Sequence, residues 1–252
     1  MDESKEEKLN NLDFEKFRKL ASDKTLSRYE KIGFYDSLRK EYEKKIFSDI
    51  LHKLTRLGKK NLRVMDIGCG CSELPRMLIG HCRDRGHSLL LVDSKEMLDQ
   101  LPEAPFIKKI PARFPVHFEK HFKEYVGKVD VILVYSVFHY VIKEAGKIDF
   151  MDRSLSLLSH GGQMLIGDIP SFSKRKRFFL SPAGIEFHQK NNKTKELPKI
   201  ELKPAPDTRI DDALILTLLK RSRHEGFDSY LLPQPNALPM SNRREDLLFV
   251  KP

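Results

Sequence analysis

The stretch LRVMDIGCGCSELPRML, from Leu62 to Leu78, decides the fold of this 252-residue chain. The residues up to Ile67 form an apolar run with a β-branched bias, which is typical of a strand buried on both faces of a parallel sheet. Gly68 and Gly70 then permit a sharp turn and a close approach of the backbone to a ligand, and a predicted helix offers free N–H groups at its start. This unit predicts a site for a nucleotide-like ligand, although tight strand-to-helix turns also use glycine for purely structural reasons.

An acidic residue follows the next predicted strand. His87–Val92 (HSLLLV) is a second buried run, and Asp93 stands between it and a helical segment. A carboxylate at this place can accept both hydroxyls of a ribose, and its distance from Asp66 in sequence is slightly longer than the roughly 20 residues of dinucleotide folds. The alternative is that Asp93 caps the helix that follows it.

The remaining pattern alternates predicted strands and helices. Apolar residues at helical spacing from Leu38 to Leu57 predict one helix before the opening motif, and those from Glu6 to Ala21 predict another near the amino terminus. Further strands are predicted at 105–110, 129–134, 163–167, 227–232 and 247–250. The last two are joined by a proline-rich connection that is too short for a helical crossover, so they predict an antiparallel hairpin.

The sequence therefore predicts an α/β fold with a doubly wound, mostly parallel seven-stranded sheet, a terminal antiparallel hairpin and a basic insertion that acts as a cap. The alternative for the insertion is a solvated mobile loop. The expected organisation is N-terminal helices over the cofactor or substrate side at 1–60, the α/β core at 61–170, the basic cap or lid at 171–210, and a helix with the hairpin at 211–252.

Charge and composition limit the possible partners. The formal net charge of +10 indicates an anionic partner, such as a nucleic acid, a phosphorylated metabolite or a membrane surface, or else a lysine-rich solvated surface. The amino terminus has no signal-peptide character, and no apolar run is long enough to span a bilayer, so we expect a cytoplasmic protein. Three cysteines predict reduced thiols; a metal site combining Cys69, Cys71, His81 and Cys82 is disfavoured because the Cys-x-x-Cys spacing is absent.

Several segments in chain order resemble class I S-adenosylmethionine-dependent methyltransferases. They are VMDIGCG (64–70), Asp93, VDVILVYSVFHYV (129–141) and LLSHGGQMLIGD (157–168), followed by a helix and the terminal hairpin. The resemblance covers about Leu62 to Pro252. It implies S-adenosyl-L-methionine as the cofactor and methyl transfer as the reaction.

The resemblance also implies roles for individual residues. Asp66, Gly68 and Gly70 match the turn around the methionine part of the cofactor, and Asp93 matches the acid on the ribose hydroxyls. The predicted cofactor-binding set is completed by Ser94, Ala112, Tyr135 and Ser136. Ser72 replaces a frequent third glycine, and Pro111 replaces the usual acid beside the adenine, where a backbone contact at Ala112 is the alternative.

The acceptor is less well defined by the sequence. If it is a hydroxyl, a base must remove its proton, and His139 and Asp168, after the fourth and fifth strands, are the candidates. Positive charge near these strand ends favours a small anionic metabolite, such as a nucleotide-linked sugar. The predicted substrate-binding residues are Arg28, Tyr29, Lys174, Arg175, Arg177, Arg243 and Arg244.

Two other functions stay open. An RNA methyltransferase would use the basic insertion to bind phosphates, although the fourth strand lacks the Asn/Asp-Pro-Pro-aromatic signature of enzymes that methylate exocyclic base amines. A non-catalytic binding protein could keep the fold as a scaffold. The segments SRYEKIGF, GDIPSFSKRKRFF and LPMSNRREDLLFVKP are also similar to a bacterial subgroup of small-molecule methyltransferases associated with sugar or cell-surface glycan pathways.

Overall fold

The computed structural model describes residues 12–144, 146–200 and 210–252. These residues form a seven-stranded sheet. In chain order its strands are β1 Arg63–Ile67, β2 Ser88–Asp93, β3 Ile107–Pro111, β4 Val129–Tyr135, β5 Leu158–Pro170, β6 Asp228–Pro233 and β7 Arg244–Val250.

The strands follow the order β3-β2-β1-β4-β5-β7-β6 across the sheet. Strands β1 to β5 pair in parallel, whereas β7 runs antiparallel between β5 and β6. The predicted doubly wound, mostly parallel sheet with a terminal antiparallel hairpin is therefore confirmed. Strand order reverses beside β1, and ligands in open α/β sheets bind at such a switch point, outside the carboxyl ends of the strands.

Helices surround the sheet. In chain order they are α1 Phe14–Ser22, α2 Asp36–Arg39, α3 Glu43–Lys53, α4 Glu73–Arg85, α5 Lys95–Leu98, α6 Phe118–His121, α7 Phe138–Glu144, α8 Lys147–Ser156, α9 Phe172–Leu180, α10 Pro182–Asn192 and α11 Asp212–His224. Short 3-10 turns lie at Glu30–Ile32, Thr55–Gly58, Lys123–Tyr125 and Ser241–Arg243. Within the described ranges, no helix is both long and apolar enough to cross a membrane.

The two faces of the sheet carry separate apolar cores. Met65 and Ile67 of β1 pack into the core on one face, together with Phe150 of α8. Val64 packs into the core on the other face, with Leu133 of β4. Because side chains alternate along a strand, β1 is apolar on both sides, as the opening motif predicts.

The helix predicted from Leu38 to Leu57 is interrupted. The chain leaves helical hydrogen bonding between α2 and α3 and forms a 3-10 turn after α3, although the apolar spacing runs through all three pieces. Arg39 is the last residue of α2, directly before the interruption, and its side chain is buried. The other predicted helix, near the amino terminus, corresponds to α1, and its expected first residues, up to 11, lie outside the described residues.

The basic insertion folds into helices over much of its length. The Ser171 hydroxyl accepts a hydrogen bond from the Lys174 N–H at the start of α9, and Ser181 accepts one from the Gly184 N–H at the start of α10. Both are helix N-caps, and proline at the first position of α10 suits a helix start. A mobile loop is therefore wrong for 172–192, while residues 201–209 lie outside the described residues.

Candidate functional site

A cleft opens at the carboxyl ends of β1, β2 and β4. It encloses about 940 Å³ including its open mouth, which is within the range of roughly 300–1,000 Å³ that is common for ligand sites. Six of the eight residues predicted to bind a cofactor line it: Gly68, Gly70, Asp93, Ala112, Tyr135 and Ser136. Asp66 and Ser94 are buried behind its wall.

The two glycines of the turn cannot carry side chains. Gly68 has φ +72°, and a Cβ there would lie 2.7 Å from Val137. Gly70 has φ +64°, and its Cβ would lie 2.7 Å from Ile32. Positive φ and close neighbours both require glycine, so the turn presents bare backbone to the cleft.

Asp93 ties the end of β2 to the glycine turn. Its Oδ2 accepts a hydrogen bond from the Gly70 N–H at 2.8 Å, and its Oδ1 accepts one from the Ser94 N–H at 2.6 Å. Burial raises the pKa of Asp93 to about 6. The carboxylate is thereby held in one orientation at the cleft wall.

The capping alternative for Asp93 is resolved by its neighbour. Ser94 is the N-cap of α5, because its hydroxyl accepts a hydrogen bond from the Met97 N–H at 3.3 Å. The side chain of Ser94 is therefore committed to the helix and does not line the cleft. Asp93, in contrast, lines the cleft.

Ala112 lines the cleft, but its N–H is used within the fold. This N–H donates to the Asp93 carbonyl oxygen at 3.0 Å. The backbone contact to an adenine that the sequence allowed at Ala112 therefore cannot use that donor. Its methyl group and the neighbouring Phe114 instead give this end of the cleft an apolar wall.

Asp66 lies within β1, buried beneath the turn. Burial, followed by the nearby charge of Asp93, raises the pKa of Asp66 to about 8. At neutral pH this carboxyl is mainly protonated in the folded protein, whereas in the unfolded chain it is ionised.

A raised pKa makes the fold less stable as pH increases. Between the ordinary aspartate pKa of about 4 and the folded value of about 8, unfolding releases a proton from Asp66, so the free energy of unfolding falls with rising pH. Asp66→Asn removes this pH-dependent loss of stability. We expect the free energy of unfolding of the variant, relative to that of the wild type, to increase between pH 5 and pH 9 by at least about 1 kcal/mol, or ~2–4 °C in Tm.

Thermal unfolding of the cofactor-free protein at the two pH values measures this effect. Asp84→Asn is the matched control because the Asp84 side chain is exposed. A melting-point difference between Asp66→Asn and the wild type that is the same at pH 5 and pH 9 would contradict the raised pKa.

Arg39 is a site residue that the sequence did not identify. Its guanidinium lies 4.3 Å from the centroid of the Phe34 ring and donates a hydrogen bond to the Ser136 hydroxyl at 2.7 Å. The side chain is buried and lines the cleft. The sequence pattern that could have indicated Arg39 is the mixture of cationic and aromatic residues between Ser27 and Tyr42. That pattern does not distinguish Arg39 from Arg28.

Ser136 and Asp168 form the polar centre of the site. The Ser136 hydroxyl donates to Asp168 Oδ2 at 2.6 Å, and both residues are buried. Both also have positive φ, 61° and 59°, in the left-handed region that non-glycine residues seldom occupy. Backbone strain of this kind is concentrated at functional sites. Ser136 directly follows β4, whereas Asp168 lies within β5, close to its carboxyl end, and not after the strand as predicted.

Asp246 holds Asp168 in place from behind. Its Oδ1 accepts a hydrogen bond from the Asp168 N–H at 2.8 Å, and its Oδ2 lies 2.6 Å from Lys53 Nζ. Asp246 is fully buried on β7, so the terminal hairpin supplies part of the site's support. Beside this network, a smaller cavity is lined by Arg39, Tyr135, Asp168 and Met240 among others.

The two predicted catalytic residues have different surroundings. Asp168 borders the small cavity, next to the cleft. His139 lies on α7 with its ring centroid 4.0 Å from that of Tyr140, and it lines neither the cleft nor the small cavity. Of the two, only Asp168 borders one of these two cavities.

The predicted substrate-binding residues are scattered. Arg28 forms an ion pair with Glu73, and Tyr29 is buried; neither lines the cleft or the small cavity. Arg177 pairs with Asp212 on α11. Arg28 and Arg177 thus have acidic partners in the folded chain, and Tyr29 is part of the packed interior.

The remaining basic residues lie near the end of β5. Lys174 Nζ donates to the Arg244 carbonyl oxygen at 2.7 Å, and Arg244 Nε lies 3.7 Å from Asp168 Oδ1. Arg175 and Arg243 line a separate pocket between α9 and α10.

Ser72, where a third glycine is frequent, has a partner in the N-terminal region. Its hydroxyl donates to Glu43 Oε1 at 2.9 Å, and both side chains are buried. Burial raises the pKa of Glu43. The serine thus joins the glycine turn to α3 and accounts for the departure from glycine.

Aromatic residues cover the outer side of the cleft. Phe14 and Phe17 of α1 line it, and the Phe17 ring meets Tyr140 edge to face with centroids 4.9 Å apart.

No group of three or more His, Cys, Asp or Glu side chains within the described ranges could hold a metal ion.

Comparisons with known proteins agree with this architecture. No family model and no curated protein matches the chain. Among solved structures, the plantazolicin methyltransferase BpumL in complex with S-adenosylhomocysteine (SAH) matches with a TM-score of 0.57 and 16% identity, over 98% of this chain and 99% of that one. The chain has the fold of class I S-adenosylmethionine-dependent methyltransferases.

Two further solved structures share this methyltransferase fold. The N-methyltransferase NodS from Bradyrhizobium japonicum WM9, in complex with SAH, matches with a TM-score of 0.56 and 12% identity, over 95% of this chain and 98% of that one. The CurJ carbon methyltransferase matches with a TM-score of 0.56 and 15% identity, over 94% of this chain but only 58% of the CurJ chain.

Proposed function

We propose that this protein is an S-adenosylmethionine-dependent methyltransferase that acts on a small anionic metabolite. The observation that carries the proposal is the geometry of Asp93, a half-buried carboxylate fixed by the Gly70 N–H beside the glycine turn. A ribose with two free hydroxyls and an adjoining amino-acid group fits this acid and this turn. BpumL and NodS, which have the same fold, were both crystallised with SAH.

The residues of the cleft suit each part of that cofactor. Asp93 would accept the ribose hydroxyls, and the backbone at Gly68 and Gly70 would lie against the methionine part. Arg39 has a buried Nε that makes no hydrogen bond within the described residues, and its positive charge suits the methionine carboxylate. Phe114 and Ala112 would face the adenine.

The bound cofactor would supply an activated methyl group on a sulfonium. The task of the protein is then to exclude water and to hold the acceptor atom in line, which can account for much of the rate. Phe17 and Tyr140 cover the cleft. Asp168, held by Ser136 and Asp246, is placed to take the proton that a hydroxyl acceptor loses.

We assign an anionic acceptor because positively charged side chains lie near the end of β5. Arg244 approaches Asp168, and Lys174, Arg175 and Arg243 lie on the adjoining elements. Cationic side chains next to the catalytic edge suit an acceptor that carries phosphate or carboxylate, and a nucleotide-linked sugar meets that requirement.

RNA is the second candidate because the basic helix α9 and the net charge of +10 suit a polyanion. The folded position of the basic residues favours a small molecule. Arg177, on that helix, is paired with Asp212, so not all of the positive charge is available to a phosphate backbone.

Calorimetry and methyl transfer test the proposal together. SAH should bind the purified protein with a micromolar or lower Kd, and methyl-labelled cofactor should transfer label to the small-molecule fraction of a cell extract. Label in the RNA fraction would favour the second candidate. Absence of SAH binding would overturn both and favour a non-catalytic scaffold.

A further inference from the structure

A separate pocket lies between α9 and α10, on the side of the molecule that adjoins the end of β5. It encloses about 590 Å³ including its open mouth. Two phenylalanines, Phe179 and Phe187, form its apolar walls, and its polar lining consists of Arg175, His188, Asn191, Asn192 and Arg243. Among the described residues, this lining contains two arginines and no acidic residue.

The two arginines of the pocket have no acidic partner in the described part of the chain, although their neighbours do. Arg177 pairs with Asp212, and Arg244 lies near Asp168. In contrast, the Arg175 guanidinium lies 5.5 Å from the Phe179 ring centroid, and that of Arg243 lies 6.0 Å from the Phe187 ring centroid. Aromatic faces hold both cations at the pocket without neutralising them.

Arg243 is the more enclosed of the two. Burial, together with the positive charges of Arg244 and Arg175, lowers the pKa of Arg243. Arg243 has no carboxylate partner among the described residues, and enclosing its guanidinium near two others costs free energy that a bound anion would offset. The side chains are therefore arranged for an anionic ligand rather than for an internal ion pair.

His188 adds a hydrogen-bond donor. The Asn192 Nδ2 lies 2.9 Å from His188 Nδ1, and an amide NH₂ can only donate, so His188 Nδ1 is the acceptor. The proton of the neutral ring is then on Nε2. The pocket offers this N–H beside two guanidinium forks, which suits the several oxygens of a phosphate better than the two of a carboxylate.

The backbone connects this pocket to the catalytic edge. The Arg243 carbonyl oxygen accepts a hydrogen bond from the Ser171 N–H at 3.1 Å, at the start of α9. The next residue, Arg244, has its Nε 3.7 Å from Asp168 Oδ1. A group held by Arg243 is thus one residue along the chain from the side chain that contacts Asp168.

We infer that Arg175, Arg243 and His188 form a binding pocket for a phosphate group of the methyl acceptor. This inference rests on the proposed function, because it takes the phosphate to belong to the methyl acceptor. The pocket itself can be tested alone. The acceptor would then extend from Asp168 past Arg244, with its reacting atom at the end of β4 and its phosphate between α9 and α10.

Inorganic pyrophosphate is the probe, titrated into the SAH-saturated protein and followed by ³¹P NMR. We expect saturable binding by the wild type and a loss of affinity of about 10-fold or more in both Arg175→Gln and Arg243→Gln. Arg221→Gln is the matched control, since Arg221 lies on α11 in an ion pair with Asp152. It should bind pyrophosphate like the wild type.

The other outcomes overturn the assignment. Equal pyrophosphate affinity in the wild type and both pocket variants would rule out the site, and Arg175 is exposed enough that its variant keeps the fold even if Arg243→Gln does not. Equal binding of citrate would replace phosphate by carboxylate. Tighter binding of single-stranded RNA, with a steep salt dependence and the same arginine requirement, would replace the small molecule by RNA.

Calorimetry with SAH separates this inference from the proposed function. The pocket variants should keep wild-type SAH affinity, because neither arginine lines the cleft. If the wild type fails to bind SAH, the proposed function fails, while the same pyrophosphate titration of the protein without SAH still decides the pocket.

Discussion

Replacing Asp93 with alanine is expected to lower the affinity for SAH by at least about 100-fold, the largest effect on binding that we expect from any single change in the cleft. The carboxylate would accept two ribose hydroxyls, and hydrogen bonds to a charged group contribute roughly 1.5–3 kcal/mol each. The change also removes the acceptor of the Gly70 N–H, so the glycine turn loses its anchor. Isothermal titration calorimetry measures the loss.

Asp99→Ala is the matched control, because Asp99 is an exposed aspartate just after α5 whose ion pair is with Lys95. Circular dichroism checks that both variants are folded. The pKa of Asp93 is about 6, so wild-type affinity for SAH should also fall as pH drops through that value and the acceptor is protonated. Wild-type affinity in Asp93→Ala would refute the ribose assignment.

The parts of the fold that depend on local pattern were predictable. The apolar run before Gly68 specifies a doubly buried strand, and the bare turn follows from the positive φ that glycine permits. The terminal hairpin followed from a connection too short for a crossover, and β6 and β7 do pair antiparallel. In each case the determining residues are close together in the sequence.

Residues that depend on distant contacts were not predictable in the same way. Arg39 lies at the end of α2, where the predicted helix is interrupted before α3. Its hydrogen bond is accepted by Ser136, which is far along the sequence. Asp246 supports Asp168 only once β7 has paired with β5. Periodicity carries no information about either contact.

Choices between neighbouring residues also needed the folded chain. Asp93 and Ser94 are both good helix caps by type, and the structure gives the cap to Ser94. Arg28 and Arg39 lie in the same cationic and aromatic stretch, but Arg28 pairs with Glu73 at the surface. The sequence predicted which chemical groups each stretch offers, but it did not predict which of the neighbouring side chains uses them.

The second large effect is expected at Asp168. Asp168→Asn should lower the rate of methyl transfer to a hydroxyl acceptor by about 100-fold or more, the range associated with loss of a general base. The amide has the shape of the carboxyl group, and its oxygen can still accept the hydrogen bond from the Ser136 hydroxyl. SAH affinity should stay close to that of the wild type, since Asp168 lines the small cavity rather than the cleft.

The comparison of two variants distinguishes proton transfer from positioning. Ser136→Ala removes the hydroxyl between Arg39 and Asp168 but leaves the carboxylate, so a base mechanism predicts a smaller loss of rate than in Asp168→Asn. Asp212→Asn, at the exposed partner of Arg177, is the control for removing one negative charge from this side of the molecule. If Asp168→Asn transfers methyl groups at nearly the wild-type rate, the carboxylate only orders the ends of β4 and β5, and the acceptor atom needs no base in this site.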